Sequence, residues 1–156
     1  VATQVRVRVA TIEVRDVNLP SYAAASEIMV QQADGSLRPV PKSIWAEDPV
    51  RAVTNAIARG IDTSSTASAM SEPWPLEESA QVRVNVRVER MVAQADGQFR
   101  LSGQYSISSP DQVVREVIDR FDIRQPLDDD TPGAIADAAG ASLQALSGQI
   151  VARLRR

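Results

Sequence analysis

Residues 82–107 constrain the fold of this chain more tightly than any other stretch. Val82, Val84, Val86 and Val88 alternate with Arg83, Asn85, Arg87 and Glu89; after Ala95-Asp96-Gly97-Gln98 the chain resumes with Phe99, Leu101, Tyr105 and Ile107 on one side. A period of two sends successive side chains to opposite faces of a strand, so one face here is apolar and the other polar. Asp-Gly between two such runs is the chemistry of a tight hairpin turn. The chain therefore contains a long antiparallel hairpin with one dry face, and the remaining residues have to cover it.

Two segments are suited to be the cover. Asp48 precedes Pro49, which is an N-cap followed by proline at the first helical position; Val50, Val53 and Ile57 then share one side, and Gly60 reads as a stop. Near the C-terminus, Asp128-Asp129-Asp130-Thr131-Pro132 supplies carboxylates, a cap and an N1 proline. Ile135, Ala139, Leu143, Leu146, Ile150 and Leu154 then step at helical spacing, and Arg153, Arg155 and Arg156 suit the negative end of that helix. Three consecutive aspartates point in diverging directions, so a helix start explains them better than a metal site.

The remaining segments read as follows. Residues 5–14 are expected to form one strand, its phase slipping near Ala10-Thr11 from Val5, Val7 and Val9 to Ile12 and Val14. Ser26–Gln32 and Leu37–Ile44 form a second hairpin around Ala33-Asp34-Gly35-Ser36, with Pro39 and Pro41 placing the return strand at a sheet edge. Residues 61–79, rich in Ser, Thr, Pro and Glu, read as a loop with room for a short strand. Residues 113–123 fit either pattern: Val113, Val114, Val117, Ile118 and Phe121 make a helical stripe behind a Ser109-Pro110-Asp111-Gln112 capping box, while the β-branched content suits a strand. The fold class predicted for residues 1–156 is α+β: one domain with a mostly antiparallel sheet and two main helices packed on one face.

Composition then limits the chemistry. With 156 residues, 44% of them hydrophobic but only 4% aromatic, the core has to be built from Val, Ile, Leu and Ala. The chain has no Cys and no His, which removes the thiol nucleophile, the imidazole base and nearly every structural zinc arrangement. Its net charge of −3 argues against a nucleic-acid footprint. The seven glycines form no phosphate-binding loop. No carboxylate sits in an apolar setting of the kind that tunes a general acid. These features predict a protein that is not an enzyme and uses no cofactor.

Two tryptophans invite a site reading. Trp45, just before a capped helix in an aromatic-poor chain, is better suited to plug a strand-helix junction than to wall a ligand cleft. Trp74, held as Pro73-Trp74-Pro75 in a polar loop, is a stiff aromatic anchor suited equally to a partner or to local packing. The Arg-Val alternations at 6–8 and 83–87 place arginines in rows, for cross-strand pairing with Glu13, Glu89 and Glu116 or for docking.

The order of these motifs resembles the PqiC/YmbA-like family of ABC-type transport auxiliary lipoproteins. The matching residues are Val17, Leu19, Pro20, Tyr22, Ile28 and Val30, then Trp45-Ala46-Glu47 before the helix, then Pro73-Trp74, a strand hairpin and a closing Ala-rich helix. Departures fall at Ala80-Gln81, where the family has aspartate-tyrosine, and around Arg90-Met91, where it has a closing Phe. The resemblance implies a strand over 113–123. It implies a signal peptide and a lipidated Cys upstream of Val1, anchorage to the outer membrane facing the periplasm, and partners among MCE-domain proteins and inner-membrane transporter components that move lipids. Self-association into a homo-oligomer is a further possibility it leaves open. The candidate partner contacts are Leu19, Pro20, Tyr22 and Trp74, because stiff, aromatic-bearing loops make good anchors. A lipid or small-ligand carrier with its own apolar cleft is the alternative, followed by a scaffold pairing through a sheet edge.

Overall fold

The hairpin read from the sequence is the spine of the molecule. In the computed structural model, which describes residues 4–21, 27–31, 33–34, 36–44, 48–129 and 131–155, β5 (Val82–Ala93) pairs antiparallel with β6 (Gln98–Ser108) from Arg83↔Ser108 to Ala93↔Phe99. The turn between them uses Gly97 at φ 80°, a conformation glycine adopts without strain. β7 (Val117–Pro126) extends the meander antiparallel to β6.

The other edge of β5 is shared out along its length. β1 (Thr11–Val14) runs parallel to it at Val82–Val84; Asn18 bridges to Arg87; and β2 (Glu27–Gln31) meets it, also parallel, at Ala93. β3 (Leu37–Ile44) closes one side as an antiparallel partner of β2, at the sheet edge as its prolines require. β4 (Ser68–Ser71) closes the other side, parallel to β1. By paired length the seven-stranded sheet is mostly antiparallel, and its parallel contacts are short.

Two helices cover one face. α1 (Pro49–Ser64), capped by the Asp48 carboxylate accepting from the Val50 N–H at 3.1 Å, packs on β1 and β4. α2 (Pro132–Leu154), capped by the Thr131 hydroxyl accepting from the Ala134 N–H, packs on β6 and β7. Between them and the sheet lie Val82, Val84, Val86, Phe99, Leu101 and Ile107 with Ile57, Ile61, Ile135, Leu146 and Ile150, all essentially sealed from water. Each such side chain contributes roughly 1.5–3 kcal/mol relative to exposure.

Two glycines set close approaches. Gly60 does not end α1, which continues to Ser64; it faces Ser147 of α2, whose Oγ would lie 2.5 Å from any Cβ placed there. Glycine allows helices to touch as readily as it ends them, and here the contact decides its use. Gly103 sits opposite the bulge between Val88 and Arg90, where a Cβ would run into the Arg87 carbonyl oxygen. The extra residue in β5 re-phases the strand, so that Val88 and Met91 both point toward the helices.

Two expectations are corrected in extent. Residues 5–14 are not one strand: only Thr11–Val14 pairs in the sheet, and the chain before it is stitched to the helix ends. Val5 N–H donates to the Ser64 carbonyl at 2.9 Å, Thr66 N–H to the Val5 carbonyl at 3.0 Å, and Arg8 N–H to the Leu154 carbonyl at 2.9 Å. Val7 and Val9 are buried as their alternation required, and Val7 bridges to Arg155 at the end of α2. Over 113–123 the strand wins from Val117 onward; the Ser109 hydroxyl does accept from the Val113 N–H at 2.9 Å, yet Gln112 at φ 55° breaks any helix that would follow.

Tyr105 ties three elements together. Its ring stacks on Phe121 with centroids 6.5 Å apart, its hydroxyl donates to Asp119 Oδ2 at 3.1 Å, and Arg153 Nε of α2 lies 2.8 Å from the same oxygen. Burial first, and then the Asp119 carboxylate, push the Tyr105 phenol up to about 12. An unfolded tyrosine ionises near pH ~10. The neutral phenol therefore stabilises the fold fully below that pH, and this contribution is lost as the pH climbs from about 10 toward about 12. Urea unfolding across this range should show a loss on the order of 2 kcal/mol, and Tyr105→Phe should flatten it; an equally steep loss in the variant would refute the assignment.

Candidate docking site

β1 and β4 run side by side in the same direction and finish together, Val14 opposite Ser71. The 15–20 turn leaves from one and the 72–81 loop from the other. To reach β5, residues 72–81 have to cross β1. α1 occupies the inner face there, which leaves the outer one.

The outer face at this point is a ladder of charges. Glu13 is only 5% exposed, although its alternation points it away from the helices. Arg83 Nε lies 3.2 Å from one of its oxygens and Arg15 Nη1 3.6 Å from the other. A buried carboxylate without such partners would cost several kcal/mol; here two guanidiniums flank it. Arg15 reaches on to Glu72 at 3.5 Å. Glu72 also accepts the Asp16 N–H at 2.5 Å, while its own N–H donates to the Val14 carbonyl at 2.9 Å.

α1 joins the same knot. Arg51 Nη1 contacts Asp16 Oδ1 at 2.6 Å and donates to the Glu72 carbonyl at 3.1 Å. The Ser71 hydroxyl donates to Asn55 Oδ1 at 2.8 Å. The roots of both loops are thus cross-tied to each other and to the helix.

What the loops display is apolar. Leu76 is 57% exposed, and Met70, at the end of the edge strand, 51%. Trp74 is half-buried, and its indole N–H donates to the Glu78 carbonyl at 2.8 Å, which closes the loop on itself. Leu19 and Pro20 are half-buried, Leu19 against the core. Tyr22 and Trp45 lie outside the described residues. Of the four residues named as partner contacts, the structure joins the roots beneath Leu19, Pro20 and Trp74 through the Asp16–Glu72 bond. Met70 and Leu76 were missed in the sequence; Met70 lies in S-A-M-S, the short strand for which the reading of 61–79 left room.

Of the arginine rows, Arg83 forms the expected cross-strand pair, with Glu13. Glu89 is held instead by Arg120 of β7, two strands away, at 3.0 Å, and Arg100 pairs with Asp122 across β6 and β7 at 2.9 Å. The Arg100 hydrogen bond holds the Asp122 carboxyl below the usual carboxylate range. Glu116 instead accepts the Ser109 N–H, and Arg6 and Arg8 lie outside the sheet. The Asp129 carboxylate is taken up by the Thr131 N–H and hydroxyl at the helix cap. Among the described residues, no group of three or more acidic side chains is gathered to hold a metal, and no helix is long and apolar enough to cross a membrane.

The sequence model described as the ABC-type transport auxiliary lipoprotein component matches residues 1–151. The chain belongs to this family. Its auxiliary-lipoprotein fold recurs in solved structures. A protein described only as uncharacterized superposes with a TM-score of 0.81 at 17% identity, covering 97% of this chain and 96% of that one. Protein XCC0632 from Xanthomonas campestris gives 0.71 at 15% identity, covering 95% and 83%. PelC from Paraburkholderia phytofirmans, solved as a dodecamer, gives 0.54 at 9% identity, covering 100% and 96%. At these identities the likeness is one of fold. No curated protein matches the sequence.

In this auxiliary lipoprotein, Glu72→Ala removes a charge-assisted bond to a backbone N–H and one Arg15 contact. Because the site is partly solvated, the expected loss is about 1–2 kcal/mol in urea unfolding. Amide hydrogen exchange at Asp16 should accelerate in parallel. Unchanged protection at Asp16 would show that Glu72 does not hold the two loops together.

Proposed function

We propose that this single domain is a non-enzymatic, periplasmic lipoprotein subunit of an MCE/ABC-type lipid transport system. In this reading it is anchored to the outer membrane by an N-terminal lipid and docks to the MCE-domain component. The observation that carries it is the pairing of family membership over residues 1–151 with a stiff loop that exposes Leu76, and an adjoining edge strand that exposes Met70, on a cross-tied base. Rigid apolar anchors lose little conformational freedom on binding, so such a loop spends little of its contact energy on ordering.

The side-chain inventory supports an adhesive role. The chain lacks Cys and His, and Glu13, the one buried carboxylate among the described residues, is flanked by Arg15 and Arg83. The protein acts by holding its partner in register at the envelope. The fold shared with PelC, solved as a dodecamer, adds self-association to the proposal.

The test uses the full-length lipidated protein in its own envelope. Co-purification of the MCE component should fall about tenfold for Trp74→Ala combined with Leu76→Ser, in line with loss of an interface anchor. Trp74→Phe, which keeps the ring and loses the bond to Glu78, should retain most of it. Wild-type recovery by the double variant, with normal circular dichroism, would remove the loop from the interface.

A further inference from the structure

α1 and α2 touch at Gly60 and Ser147, and N-terminal to that contact a groove of ≈ 370 Å³ lies between them. Its walls and floor are mainly apolar: Val53 and Ala56 from α1, Met91 from β5, and Ala139, Gly140 and Leu143 from α2. A Cβ on Gly140 would meet nothing within 4 Å, so this stretch of wall is open space rather than a packed seam.

One margin of the groove is cationic. Arg59 lies on it, exposed, and among the described residues no carboxylate stands within ion-pair distance of its guanidinium. Arg51 on the same helix, by contrast, is held by Asp16. Asn55, one turn before Arg59 and also on the groove, has its carbonyl oxygen occupied by the Ser71 hydroxyl, which leaves its NH₂ to donate. At the opposite end, the exposed Asp48 carboxylate caps α1 next to Pro49 and would repel an anion.

We propose that this groove binds a single-chain anionic amphiphile, with the acyl chain along the groove, the headgroup on Arg59 and Asn55, and the tail toward Pro49. The polarity follows from the charges at the two ends. The span from Arg59 to Pro49, ten residues at a rise of ~1.5 Å each, is about 15 Å and matches a medium-length acyl chain. The volume is near the lower bound of ligand pockets, roughly 300–1,000 Å³, which suits one chain and not two. A carboxylate and a phosphate headgroup share the chemistry that Arg59 recognises. The site lies on the helical face of the molecule and meets the docking-loop roots only at the Asn55–Ser71 bond; its tests act on Arg59 and α2, outside that network, so either reading can fail without the other.

Calorimetric titration with dodecanoate, lauroyl lysophosphatidylglycerol and dodecyl maltoside, each below its micelle threshold, tests this. Saturable binding of one molecule per chain is expected for at least one of the two anions, and which one binds identifies the headgroup. Dodecyl maltoside should bind about tenfold more weakly, the loss of one charge-assisted contact. Gly140→Leu, or Ala136→Leu should the first fold poorly, should weaken anion binding by about tenfold or more, with melting unchanged. Arg59→Gln should bring the anions down to the level of the maltoside. Three results would overturn the proposal: no saturable anion binding, wild-type affinity in a filled groove, or an anion preference that survives Arg59→Gln. A shift of oligomeric state in Gly140→Leu, with no amphiphile bound by the parent, would mark the groove as a protein interface instead.

Discussion

Everything in this fold is arranged around the satisfaction of one strand. β5 is paired along its whole length on one edge by β6, and on the other by β1, Asn18 and β2 in succession. Its apolar row, Val82 to Val88, is sealed by helices. With one face buried and both edges engaged, its register is strongly specified. The bulge opposite Gly103 is how a strand this long keeps its apolar side chains turned toward the helices.

How far the sequence reveals this depends on whether a contact leaves a local trace. The valine alternation, the Asp-Gly turn and the two proline-marked helix starts are local, and they led to β5, β6, α1 and α2. The parallel contacts of β1 and β2 join residues distant in the chain and need no turn chemistry, so nothing near Ile12 or Val30 announces them. β4 is the short strand for which the reading of 61–79 left room, but its bounds and partner carry no local trace, because Ser68 and Ser71 lie in a polar stretch and pair with the distant β1. Gly60 was misread because absence of a side chain serves both helix ends and helix crossings. At 113–123 the local pattern was balanced, and the resemblance to auxiliary lipoproteins pointed to the strand that the structure contains from Val117.

The 15–20 and 72–81 loops illustrate the same divide. Trp74 was conspicuous by its chemistry, but the features that make its loop rigid were not: Glu72 bridges to Asp16 and Arg15 over a separation of more than fifty residues. The burial of Glu13 was equally unreadable, because an acid in a strand alternating with apolar residues looks solvent-facing until a loop is laid across it. Exposure and ion pairing are properties of the assembled surface.

The segment from Val5 to Arg8 has a mechanical meaning. It is hydrogen-bonded to the last turn of α1 at Ser64 and to the end of α2 at Leu154. Whatever precedes it is therefore fastened to the finishing points of both helices at once. Tension applied from that side would be divided between two helix-sheet layers loaded along their length, rather than peeling away a single edge strand. A body held this way can be pulled from its N-terminal side and keep its opposite rim still.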